Sequence, residues 1–307
     1  MKLKGGLPLI LILITLLLII PFLVSSYYVG LMTQILIFAL FAESLDILVG
    51  HVGLPSLGHA AFFGVPAYVA ALVSLHLSNN FWLCLLAGLC ATCIIGAFFG
   101  LLVMRARGAY FLMITLALAQ LLWGLAFKWT SVTGGYDGIS GISRPLLGIP
   151  WSINGTLSYY FFVLLLVTVA SWALWVIVKS PFGYALKGIR ESETRMLCLG
   201  YNVWAYKYMA FLLAAAFAGL SGVLFVFYNA FVCTDDMGII LSAKGLLMVI
   251  LGGAGTLVGP ILGAGIIVFL ENIICTFTER WSLVLGIIYV VVILFFPNGI
   301  LGGFQKR

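Results

Sequence analysis

Residues 29–77, VGLMTQILIFALFAESLDILVG-HVGLPSLG-HAAFFGVPAYVAALVSLHL, decide the fold. Two apolar runs, each close to the ~20 residues that a helix needs to cross a bilayer, flank a short stretch punctuated by Gly50, Gly53, Pro55 and Gly58. Within the runs the acidic groups are Glu43 and Asp46, three apart and so on one face of a helix, and His59 opens the second run. A chain that returns through the membrane after so brief a polar interval is a helical hairpin in lipid.

The remainder of the chain repeats this design. Of 307 residues, 64% are hydrophobic and 8% charged, against about 25% charged in an ordinary soluble domain. So few charges cannot clothe a water-exposed globule of this size. Apolar segments lie near residues 7–25, 29–49, 59–77, 81–104, 109–129, 159–178, 208–232 and 281–297. The stretch 244–277 is equally apolar but is interrupted by Gly252, Gly253, Gly255, Gly259 and Pro260. It reads as a re-entrant or discontinuous pair, because irregular backbone at membrane depth survives only where protein or a water-filled cavity satisfies it. The expectation is an all-α polytopic membrane protein: one domain over residues 1–307, with eight spanning helices plus the glycine-broken segment, eight to ten spans in all. The run from Leu7 to Val24, after Lys2 and Lys4, is long for the core of a signal peptide and lacks a clean small-residue cleavage site, which favours an uncleaved first span.

Orientation follows from Lys and Arg in short loops. With Lys179 to Lys207 on the cytoplasmic side, alternation puts the N-terminus, the segment around His51 and Arg105 to Arg107 there too, and Lys306 and Arg307 join them if the 244–277 stretch enters and leaves on one side. Lys128, Arg144, Lys244 and Arg280 are left outside with Asp137, Asp235, Asp236 and Glu279. The net charge of +6 is thus an orientation signal, not a nucleic-acid patch. The outer loop 130–158 carries Gly134-Gly135-Tyr136-Asp137-Gly138 and Trp151, which suits either a cap over an entrance or a plain connector. The inner loop 180–207 holds an amphipathic helical run after Pro181, with Ala185, Leu186, Ile189, Met196 and Leu197 forming one apolar face.

Catalytic chemistry finds no footing. There is no nucleophile with a base, no paired carboxylates on a soluble face and no phosphate-binding loop, so the expectation is no catalytic residue, no cofactor and no metal. The six cysteines read as small apolar residues. Two glycine-rich breaks, one in each half of the chain, are the best pointer to a solute path: half-helix starts offer free N–H groups to an anionic or zwitterionic solute. The pathway residues expected on this basis are Glu43, Asp46, Gly53, Ser56, Gly58 and His59 in the first half, and Gly252, Gly253, Gly255 and Thr256 in the second. Glu43 and Asp46 also fit a simple interfacial pair or cap.

SLDILVGHVGLPSLGHAAFFGVPAYVAAL, RARGAYFLMITLALAQ, TGGYDGI, SPFGYALKGIRESETRMLCLGYNVWAYKYMAFLLAAAFAGLSGVLF and LLMVILGGAGTLVGPILGAGIIVFLEN, with FFPNGILG at the end, resemble the LivM-type permease subunit of branched-chain amino acid ABC importers. The resemblance runs from about residue 29 to 303. It implies an ABC importer permease fold in a bacterial or archaeal inner membrane, moving a branched-chain or related amino acid. The implied partners are a second LivH-like permease, two cytoplasmic ABC ATPases and an extracytoplasmic solute-binding protein. It also implies ATPase docking through Ala185, Gly188, Ile189, Arg190, Glu191, Gly200 and Ala205. Import of urea or short amides by the same assembly is the alternative, and an ion-coupled secondary transporter stands behind it.

Overall fold

The computed structural model describes residues 17–106, 108–146 and 155–277, and within the C-terminal stretch residues 283–284, 286–288, 290, 294 and 299–302. The expected spans at 7–25 and 281–297 lie largely outside the described residues. Ten helices carry the architecture: α1 (Ser26–Asp46), α2 (His59–His76), α3 (Phe81–Val103), α4 (Ala109–Lys128), α5 (Thr156–Lys179), α6 (Pro181–Glu191), α7 (Glu193–Cys198), α8 (Val203–Asn229), α9 (Ile239–Gly252) and α10 (Val258–Phe277). Among the described residues, seven helices are long and apolar enough to cross a membrane: α1 with its extension, α2 to α5, α8 and α10. At ~1.5 Å per residue, α9 is about 21 Å long and falls short of the ~30 Å hydrocarbon core. The 244–277 stretch is therefore a broken pair, as its glycines predict, and it turns at Gly253–Leu257.

The core is built from α1, α2, α8 and α9. α8 packs against α2, α3 and α1, while α1 is also flanked by α5 and α10. Hydropathy is similar along α1 and α4, yet the best window of α1 is 83% buried and that of α4 only 22%. Apolar residues in lipid carry no inside-out pattern, so packing separates the two where composition cannot. Small residues set the closest approaches: a Cβ on Gly222 would lie 1.9 Å from the Phe63 carbonyl oxygen, and one on Gly263 1.9 Å from that of Met248. Phe38, Phe41, Phe62, Phe63, Phe211 and Phe225 interleave across α1, α2 and α8 with ring centroids 5.2–6.4 Å apart.

Two boundaries differ from expectation. The span placed at 208–232 is the helix Val203–Asn229. Lys207 is buried inside its first turns and pairs with Glu193, so a charge that reads as a loop residue belongs to the helix. Asn202 caps the true start, accepting from Ala205 N at 3.2 Å. The amphipathic run after Pro181 is two helices, parted at Ser192, whose hydroxyl accepts from Arg195 N at 3.3 Å.

The loop 130–158 is ordered through its described part. Ile139–Ser140 pairs antiparallel with Phe231–Val232, and Asn79 donates to Ser143 Oγ at 2.8 Å and to the Arg144 carbonyl at 3.1 Å. Gly134, Gly135 and Gly138 all have positive φ, and a Cβ on Gly138 would lie 2.3 Å from the Val232 carbonyl oxygen. Gly138→Ala should therefore open this clamp and cost about 1–3 kcal/mol as an overpacking change, read as a lowered Tm of the purified protein. An unchanged Tm would contradict the clamp. Beside it, the Cys233 amide donates to Asp236 Oδ2 at 3.1 Å. Burial pushes Asp236 up to about 6, against the pull of that amide.

Candidate functional site

Helix α1 does not end as an ordinary helix. From Ile47 to Val52 it widens into a π-turn, closed by Gly53 at φ 81°. Such turns often mark functional sites, and here the π-turn carries the first glycine break into contact with the second. A Cβ on Gly50 would lie 2.2 Å from Gly255 N and 2.2 Å from Asp46 Oδ1. The two breaks, some 200 residues apart in the chain, are one structure.

Asp46 is the link. Its side chain is fully buried, and Oδ1 accepts from Gly255 N at 2.7 Å. Gly255 lies three residues ahead of α10, so a carboxylate from α1 holds the turn that leads into a helix in the other half of the chain. Thr256 completes the cap from within: its hydroxyl accepts from Gly259 N at 2.9 Å and donates to the Gly253 carbonyl at 2.7 Å. Leu257 takes φ 57°, a left-handed conformation rare for a branched side chain. His51 Nδ1 stands 3.8 Å from Asp46 Oδ2.

The third participant comes from the loop side. Arg190, near the end of α6, donates from Nη1 to the Gly50 carbonyl. A Cβ on Gly53 would lie 3.0 Å from Arg190 Cγ, and one on Gly255 3.3 Å from Nη1. The arginine thus lies across both breaks, its stem on Gly53 and its head between Gly50 and Gly255.

The other expected pathway residues surround this junction. Glu43 is buried one turn above Asp46 and accepts from Ser171 Oγ of α5 at 2.5 Å. His59 Nε2 lies 2.8 Å from Ser44 Oγ, itself donating to the Phe41 carbonyl at 2.6 Å. Ser56 is buried and accepts from Gly58 N at 3.3 Å. Gly58 sits against the Thr115 carbonyl of α4. Gly252 and Gly253 form the turn out of α9, with a Cβ on Gly252 only 1.9 Å from the Gly259 carbonyl oxygen.

The residues expected to dock a partner divide between two faces. Ala185 and Ile189 are buried with Met196 and Val203, so they hold α6 and α7 to the membrane helices. Gly188 sits on Met196, and Ala205 lies in the capped first turn of α8. Gly200, at φ 85°, ends α7 in a Schellman turn, with Tyr201 N bonded to the Met196 carbonyl. Leu197 leaves the expected apolar face and is exposed, because the break at Ser192 rotates α7 relative to α6. The exposed positions of this segment include Tyr184, Lys187, Arg190, Glu191, Arg195, Leu197 and Leu199.

Lys244 was expected in an outer loop. It lies instead inside α9, buried, paired with Glu271 of α10 and 4.3 Å from the centroid of the Phe38 ring. The signal that could have placed it is Glu271, an acid in the facing helix of the same broken stretch. All six cysteines are free, and only Cys84 is fully buried.

A multi-pass helical membrane protein whose two half-helix breaks converge on a buried capped junction, with a loop-side helix lying across it, belongs to the class of membrane permeases. The family model described as branched-chain amino acid transport system, permease component, matches residues 27–295. The chain belongs to that family. It is 33% identical to the high-affinity branched-chain amino acid transport system permease protein LivM of Salmonella typhimurium and 32% identical to that of Escherichia coli, in each case over 92% of this chain and 71% of the relative. It is also 24% identical to the permease protein LivH of Salmonella typhimurium, over 86% of this chain and 91% of the relative. No solved structure gives a significant match.

Proposed function

We propose that this chain is the translocation subunit of an ATP-driven importer for branched-chain or closely related amino acids. It works beside a second, LivH-like permease, with two ATPases bound at the α6–α7 face and a binding protein delivering solute on the opposite side. In this reading the α6–α7 face, both termini and the first glycine break are cytoplasmic.

The observation that carries the reading is Arg190 donating to the Gly50 carbonyl while it lies against Gly255. A helix displaced by an ATPase would pull directly on the point where both half-helices begin. The exposed set of Tyr184, Lys187, Glu191, Leu197 and Leu199 gives that ATPase a mixed apolar and charged surface, and the buried Ala185, Ile189 and Met196 fasten the lever to the spans.

The test is uptake by the assembled importer in membrane vesicles. Leucine, isoleucine and valine should enter in an ATP-dependent manner, and urea should not. Glu191→Arg, at an exposed position at the end of α6, should weaken ATPase association and reduce uptake at least tenfold while the subunit still inserts. Uptake driven by a proton or sodium gradient without ATP would overturn the reading.

A further inference from the structure

The junction leaves one ionic group unused. Lys244 on α9 and Glu271 on α10 form an ion pair, about two turns along α9 from the second break. Lys244 is 4% exposed, whereas the Glu271 side chain is 17% exposed, so the pair is open at its acidic end. The Phe38 ring of α1 lies under the ammonium. One residue on from Glu271, Asn272 donates to Gln34 Oε1 at 3.5 Å and to the Val268 carbonyl at 2.9 Å, which extends a polar strip between α1 and α10. Asp236 is near enough for its charge to act on the ammonium.

A pair of this kind is weak evidence of stability, since well-packed apolar residues often serve as well or better. Ionisable groups inside membrane segments mark solute paths by default. The chemistry on offer is specific. An amino acid carries a carboxylate and an ammonium on one carbon, and a cation and an anion already held together can each change partner without either charge being left bare. A neutral solute cannot replace both at once.

We propose that Lys244 and Glu271 form a transit site for the zwitterionic head of the solute, Lys244 receiving its carboxylate, Glu271 and the Phe38 ring receiving its ammonium. The site rests on the amino-acid reading above and adds a reason for it to exclude urea and amides: the pair closes on itself unless both charges are offered.

The test uses the assembled importer in membrane vesicles with labelled leucine. Lys244→Met and Glu271→Gln should each lower uptake at least tenfold. The double variant K244M/E271M removes both charges without leaving one unpaired. It should assemble in wild-type amounts and still transport at least tenfold less. Wild-type uptake by that double variant would overturn the site and leave the pair a structural tie. If the double variant does not assemble, Phe38→Leu decides: it keeps an apolar side chain and should raise KM for leucine severalfold at unchanged maximal rate, and an unchanged KM overturns the site. Wild-type vesicles that import no amino acid at all would overturn the substrate reading itself, a result distinct from failure of the pair alone.

Discussion

Gly50→Ala is expected to abolish uptake and to destabilise the protein by several kcal/mol. The added Cβ would sit 2.2 Å from Asp46 Oδ1, 2.2 Å from Gly255 N and 2.6 Å from Gly255 Cα. Two of these neighbours are backbone, so no rotamer change relieves the clash. Overpacking alone costs about 1–3 kcal/mol. The only escape is to part the breaks, which breaks the hydrogen bond from Gly255 N to Asp46 and strands a buried donor at a further cost of about 1–3 kcal/mol. Thermal unfolding of the purified subunit and leucine uptake by the assembled importer read the two effects. Wild-type values in both would mean that the breaks do not touch.

Arg190→Met is expected to separate ATP hydrolysis from transport. Methionine keeps an apolar stem against Gly53 and loses the guanidinium that donates to Gly50. α6 remains fastened through Ala185, Ile189 and Met196, so ATPase association should persist. Leucine taken up per ATP hydrolysed should fall at least tenfold. Arg190→Lys should recover only part of the loss, because an ammonium is a compact, more strongly hydrated donor and lacks the planar head that lies between Gly50 and Gly255. A wild-type ratio in R190M would place the lever elsewhere.

Most of the architecture was legible in composition and spacing. The spanning helices among the described residues and the break at Gly252–Gly259 follow from apolar run length and glycine placement, whereas the inner amphipathic run reads as one helix and is two, parted at Ser192. Of the residues named from the two glycine motifs, Asp46, Gly53 and Gly255 lie at the junction. Three things were not legible, each for a physical reason. Gly50 matters through a partner two hundred residues away, and spacing along the chain carries no such information. Arg190 lies on an amphipathic helix, where an arginine is equally at home in solvent, and only the fold shows its guanidinium against a carbonyl. Lys207 and Lys244 read as boundary residues because a lysine in an apolar run signals a loop, unless an acid waits on the neighbouring helix, as Glu193 and Glu271 do.

The left-handed Leu257 makes the two breaks mechanically unequal. The first break turns on Gly53, which adopts positive φ at no steric cost, and so acts as a free hinge. The second turns on Gly253 and Gly255, also at positive φ, and adds a leucine held at φ 57°, a conformation that costs roughly 1–3 kcal/mol and stands two residues from the Gly255 amide that Asp46 holds. If that hold were released, the second break would have strain to shed and the first would not. At this junction the strained non-glycine residue stands on one side only.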